Sequence, residues 1–260
     1  MKKARKEMPI TGPDGYRRRL WVEGASERLL LPELLEKQLG YWLIRKAAES
    51  SPAFAVHLQD QEGWANCLRP ESVLAILQDP MVDRFGIVVD GDQEPGSRVR
   101  SFTSIFGDRL EQDQESPPHT ILGTCAGKRV GLFVMPGGGR QGMLETLLAE
   151  EASRLQPSLM EHARHSTTES KAHGAEFADL HYDKALLHTW LAWQEQPGCA
   201  PHIRVTRPDV QPSTDGWRLF FDWFTRLFQL EAGSPPDFDD VHGIFAPTRP
   251  RPKDPHAPHT

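Results

Sequence analysis

The sequence predicts an α/β protein: an open, mostly parallel sheet with helices on both faces, plus a helical C-terminal extension. Two buried strands carry this reading, Phe85-Gly86-Ile87-Val88-Val89 and Arg129-Val130-Gly131-Leu132-Phe133-Val134-Met135. Their apolar runs are not broken by alternating polar residues, as in parallel strands covered on both sides. Segments with helical spacing alternate with the strands, the pattern of linked βαβ units. A last aromatic stretch, Trp217 to Phe228, has few interleaved basic residues, so it is expected to pack on the core as a helix and not to stack bases.

The elements follow in order. Residues 1–15 are polar and punctuated by Gly and Pro, and are expected to form a flexible tail; the α/β domain is expected over 16–232. Arg18-Arg19-Leu20-Trp21-Val22 reads as a short strand running into Glu23-Gly24. A helix follows, with Ser26 as its expected N-cap and Leu29, Leu30, Leu34, Leu35 and Leu39 near helical spacing. Ala53 to Leu58 reads as a second strand. Pro70 to Leu77 reads as a helix with Pro at its start, where a missing N–H costs little. The strand at 85–89 ends in Asp90, and a helix is expected from about Ser97 to Phe106. Residues 108–119 read as a surface loop, Pro136–Gly142 as a Gly-rich turn, Met143–Leu155 as a helix and 156–182 as a polar stretch of weak periodicity. Lys184 to Trp193 reads as a further helix. From 233 to 260 Pro and His dominate, and a disordered tail is expected.

Composition narrows the function classes. A length of 260 residues suits one core with extensions. A net charge of −6 gives no whole-chain attraction to nucleic acid, although Lys2-Lys3-Ala4-Arg5-Lys6 and Arg17-Arg18-Arg19 leave a local basic face open. Cys67, Cys125 and Cys199 are odd in number and lack CxxC spacing, which argues against a disulfide framework or a zinc knuckle and for a reducing compartment. No apolar run approaches the roughly 20 residues that span a bilayer, and no apolar segment follows the basic N-terminus as a signal peptide requires. A cytoplasmic protein without membrane association is the expectation.

Three carboxylates stand where chemistry is expected. Glu23 ends one strand, while Asp90 and Asp92 end another and begin its loop; ligands of open α/β sheets bind beyond the C-terminal strand ends. On an extended backbone, residues two apart point to the same side, which would set Asp90 and Asp92 together. Glu23 meets them if the strands are neighbours. Three such groups repel one another unless a cation neutralises them, and hard oxygen donors favour Mg²⁺ or Mn²⁺.

These residues carry a resemblance. Val22-Glu23-Gly24 after a strand, then Val88-Val89-Asp90-Gly91-Asp92, resembles the glutamate and Asp-x-Asp motifs of the Toprim fold of topoisomerases, primases and overcoming-lysogenization-defect nucleases. More narrowly, Gly86 to Pro95, Phe133 to Pro136, Gly142 to Glu145 and Lys184 to Gly198 resemble an uncharacterised bacterial Toprim-like family, a domain of unknown function. The resemblance implies a Toprim-like sheet, an acid/base or metal-positioning role for Glu23, and Mg²⁺ binding by Asp90 and Asp92. It also implies a late Lys that assists phosphate chemistry.

Further candidates carry two readings each. Glu145, at a helix start, either completes a second metal site or is a first-turn acid favoured by the helix dipole. Gly138, Gly139 and Arg140 either hold a phosphate at the strand–helix junction or form a flexible turn; no Lys-Ser/Thr ending makes this a P-loop. Lys184 and His188 share a helix face and either contact a phosphate or are a solvated Lys and a packed His. His162, His165, His173 and His181 match no common zinc spacing.

Two functions remain open at this level. One is a Mg²⁺-dependent nuclease acting on DNA or RNA, with Glu23, Lys184 and His188 as catalytic candidates; the resemblance adds an ATPase partner and a place in anti-phage defence. The other is a non-catalytic module that binds a nucleotide or a partner protein through the same acids.

Overall fold

The computed structural model describes residues 17–39, 43–44, 56–205, 207 and 210–228. All of them lie in the unit Met1–Gln229; the expected tails at 1–15 and 233–260 fall outside the described residues. The chain order is β1 (Arg18–Val22), α1 (Ala25–Leu39), β2 (Leu43–Ile44), β3 (Val56–Asp60), α2 (Trp64–Cys67), α3 (Pro70–Gln78), β4 (Arg84–Asp90) and α4 (Pro95–Phe106). There follow β5 (Glu111–Gln112), β6 (Thr120–Cys125), β7 (Lys128–Met135), α5 (Leu144–Leu155), α6 (Pro157–Ala172), α7 (Tyr182–Leu191), α8 (Pro201–Val205) and α9 (Asp215–Phe228).

The sheet runs β2-β3-β1-β4-β7-β6-β5, parallel from β2 to β7 and antiparallel at β6 and β5. This is the open, mostly parallel α/β sheet expected. Alternation along the strands sends Trp21, Phe85, Ile87, Val89, Leu132 and Val134 into one core with side chains of α2, α3 and α4. The opposite face takes α9, whose Phe220 and Trp223 pack edge-on or tilted against Phe133. Two strand glycines let α9 lie close: a Cβ on Gly86 would stand 2.6 Å from Leu227 Cδ2, and one on Gly131 would stand 3.0 Å from Trp223 Nε1. That indole donates to the Ile121 carbonyl at 3.1 Å. The aromatic run is core, as its composition implied.

Several local expectations are corrected. β6 lies just beyond the expected surface loop, and β5 within it. Ala126 and Gly127, both at positive φ (52° and 75°), turn β6 tightly back into β7. The polar stretch after 156 contains α6, a helix whose buried contact is limited to Met160, Ala163 and Thr167, too thin a stripe to stand out in sequence. Ser26 is not the N-cap of α1: the helix begins one residue earlier, at Ala25. Among the described residues no helix is long and apolar enough to cross a membrane.

Strand order fixes where a site can form. From β1 the chain moves to β2 and β3 on one side, then returns to place β4 on the other. The crevice at the C-terminal ends of β1 and β4 is therefore the point where the winding reverses, the usual binding position in such sheets.

Candidate metal centre

Strands β1 and β4 are parallel with Val22 opposite Val88, so Glu23 leaves β1 level with Val89, one residue before Asp90 ends β4. Glu23 Oε2 accepts the Asp90 N–H at 3.0 Å, and its carboxylate also accepts the backbone N–H of Trp64 at the start of α2. Burial holds the Glu23 carboxyl above its ordinary range. The Asp90 N–H opposes that shift, the Asp92 charge adds to it and Arg98 relieves it. Asp90 in turn accepts the N–H of Leu144, the first residue of α5, through Oδ1 at 2.9 Å. Burial, with the charges of Glu27, Glu23 and Glu145, pushes the Asp90 carboxyl well up despite that bond.

Two further acids complete the cluster. Glu145, second in α5 and 5% exposed, faces the same crevice and pairs with Lys184 at 3.2 Å. Burial of the Lys184 ammonium works against its charge, but Glu145, with Asp90 and Glu27 behind it, raises it overall. Thr146 of α5 donates to Asp183 at 2.5 Å, which seats α7 and brings the neighbouring Lys184 to Glu145.

Glu27 was not singled out from the sequence. It is the third residue of α1, and its Oε2 accepts the Gly24 N–H at 3.0 Å, which is half of a capping box. At 5% exposure it is buried between Glu23, Asp90 and Glu145. Burial first, then Glu145 and Glu23, lift its carboxyl to about 7. The available signal was an acid four residues after Glu23 at a helix start, but an N-terminal Glu is ordinary helix chemistry and does not by itself mark a site.

Asp92 corrects the extended-backbone argument. β4 ends at Asp90, and Asp92 adopts a left-handed φ of 47°, so the two-residue period does not reach it. Its backbone exchanges two hydrogen bonds with Gly142, at 2.8 and 2.9 Å. Its Oδ2 is bound by Arg98 Nη2 at 2.7 Å. Asp92 still borders Glu23, whose carboxyl it raises.

The remaining candidates share no hydrogen bond or ion pair with these acids among the described residues. Gly137, Gly138 and Gly139 form a turn at positive φ (88°, 65° and 75°). Arg140 bonds Glu150, the Pro136 carbonyl at 3.3 Å and the Gly137 carbonyl at 3.4 Å. The guanidinium thus serves the fold and is not presented to a phosphate. His188 is exposed on α7, and its side chain makes no hydrogen bond or ion pair among the described residues. His162 stacks on Trp193 at 5.0 Å.

Glu23, Glu27, Asp90, Asp92 and Glu145 thus set five carboxylates against the two cations Arg98 and Lys184. The donors are all oxygen and the excess charge is negative, which is the chemistry a hard divalent cation satisfies. As the side chains stand, no three His, Cys, Asp or Glu groups among the described residues are arranged to grip a metal ion. The acids rest on backbone N–H groups, Arg98 and Lys184, and binding requires side-chain adjustment within the crevice.

A family model described as "Protein of unknown function (DUF3226)" matches residues 17–229. No curated protein and no solved structure matches the chain.

Proposed function

The chain belongs to this family of unknown function, DUF3226, and we propose that it is a Mg²⁺- or Mn²⁺-dependent phosphodiesterase of the Toprim type acting on nucleic acid. The observation that carries the reading is the gathering of Glu145 and Glu27 onto Glu23 and Asp90 at the reversal point of the sheet, with Lys184 alongside. The Asp90-Gly91-Asp92 turn, with its resemblance to the Toprim Asp-x-Asp motif, lies at the same place.

In this reading Glu23, Asp90 and Asp92 hold the cation, and Glu145 and Glu27 extend the donor set toward a second position. When bound, the cation neutralises phosphate charge and acidifies water. The Lys184 ammonium, 3.2 Å from Glu145, counters negative charge that develops on the phosphate. Glu23, fixed by two backbone N–H groups, orients the remaining donors and is placed to accept a proton at the crevice. His188, exposed one turn beyond Lys184, is left the lesser part of contacting a phosphate outside the cluster. The resemblance adds an ATPase partner that delivers or gates the nuclease, which suits a chain of net charge −6.

The test is cleavage of labelled single- and double-stranded DNA and RNA with Mg²⁺ or Mn²⁺, with Asp90→Ala/Asp92→Ala protein as control. Metal-dependent cutting lost in the variant supports the reading and names the nucleic acid. Metal binding without cutting favours a non-catalytic nucleotide- or partner-binding module. That second reading draws on one observation, the engagement of Asp92 by Arg98.

A further inference from the structure

Arg98 is a buried cation outside the apolar packing of α4 on the sheet, which Phe102, Ile105 and Phe106 carry. It lies 8% exposed in the first turn of α4. Its guanidinium Cζ lies 3.9 Å over the centroid of the Trp64 ring, a cation–π contact that restrains the side chain. Its edge reaches both ends of one tripeptide: Nε donates to the Asp90 carbonyl at 3.2 Å and Nη2 to Asp92 Oδ2 at 2.7 Å. Nη1 donates to Ser97 Oγ at 3.3 Å. Between these two anchors Asp92 sits at a φ of 47°, a region that non-Gly residues keep only when their surroundings hold them there. Asp92 Oδ1 has no partner among the described residues.

We propose that Arg98 is the positioning residue of the metal centre. Clamped by Trp64, it binds Asp92 through Oδ2 and presents Oδ1 to the divalent cation. The inference rests on the metal-binding reading above. Two opposite signs are possible for a guanidinium here. As a mere positive charge it repels the cation, and its removal tightens binding. As a clamp it pre-orients a ligand, and its removal loosens binding, in the way residues that orient metal ligands cost about 10–100-fold when lost. The three contacts from one rigid fork favour the clamp.

The experiment is Mn²⁺ titration of the full chain by calorimetry, with wild type, Arg98→Ala and Arg98→Lys compared, and the metal-free Tm of each measured alongside. Arg98→Lys keeps a charge under Trp64 but cannot span Asp90 and Asp92. The expected result is wild-type binding, with affinity reduced about 10–100-fold in both variants and with metal-free unfolding still cooperative. Arg98→Ala binding as tightly as wild type, or more tightly, overturns the inference, as does Arg98→Lys with unchanged affinity. Wild type that binds no Mn²⁺ overturns the metal reading itself, and is told apart by that first titration.

Discussion

His57 makes the lower half of the sheet sensitive to acid. It lies on β3 directly opposite Arg19 of β1 and is 8% exposed. Arg19 is itself buried and kept charged by Asp79 at 2.6 Å. Burial, and then the Arg19 charge, hold the imidazole at about 4 in place of its ordinary 6.5. The folded state therefore refuses a proton that the unfolded chain accepts. Above pH 6.5 neither state is protonated and His57 has no effect on stability. As pH falls below 6.5 the unfolded state gains the proton alone, and stability declines until the folded state titrates near 4. Each pH unit of displacement is worth about 1.4 kcal/mol, so the full loss is about 3 kcal/mol. For a chain of this size that corresponds to roughly 6–12 °C in Tm. The assay is urea unfolding from pH 7.5 to 4, without metal, on wild type and His57→Gln. Carboxylates titrate in both proteins, so the difference between the two curves isolates His57. The variant should gain about 3 kcal/mol relative to wild type by pH 4. Parallel curves across that range would refute the reasoning.

Three other outcomes are expected. Gly86→Ala places a Cβ 2.6 Å from Leu227 Cδ2 and 3.2 Å from Trp223 Cη2, and should cost about 1–3 kcal/mol as α9 is pushed off the sheet; a urea titration reads it as a lower midpoint. Lys184→Met strands the buried Glu145 carboxylate and should cost about 1–3 kcal/mol. Adding Glu145→Gln should restore most of that stability; on the nuclease reading proposed above, neither variant should cleave nucleic acid with metal. Glu27→Gln still accepts the Gly24 N–H, so circular dichroism should be unchanged, whereas Mn²⁺ affinity should fall at least about tenfold if Glu27 belongs to the donor set.

Much of the fold was legible because burial leaves a one-dimensional trace. β4 and β7 read as uninterrupted apolar runs, and α9 as an aromatic helix, because each meets apolar neighbours along its length. β5, β6 and α6 were not legible. β5 is two exposed residues, β6 depends on pairing with β7, and α6 buries only three side chains. In each case stability comes from pairing or packing with a neighbouring element and not from the segment's own pattern, so the local sequence carries little of the signal.

By itself the sequence determined the sheet class and the ends of β1 and β4, and so set Glu23 and Asp90 at strand ends; the strand order of the folded sheet made them neighbours. Hydrophobic runs that stop at an acid specify where a buried strand meets solvent. Tertiary structure alone decided which other charges join them. Glu27 and Glu145 enter because α1 and α5 begin over the same crevice, and Lys184 because Asp183 and Thr146 seat α7 on α5. Arg140 is withdrawn because Glu150 and two carbonyls claim its guanidinium. Asp92 was placed by its motif but oriented by Arg98 and Gly142. Electrostatic partners are chosen by distance across the fold, and residue spacing along the chain does not encode that distance.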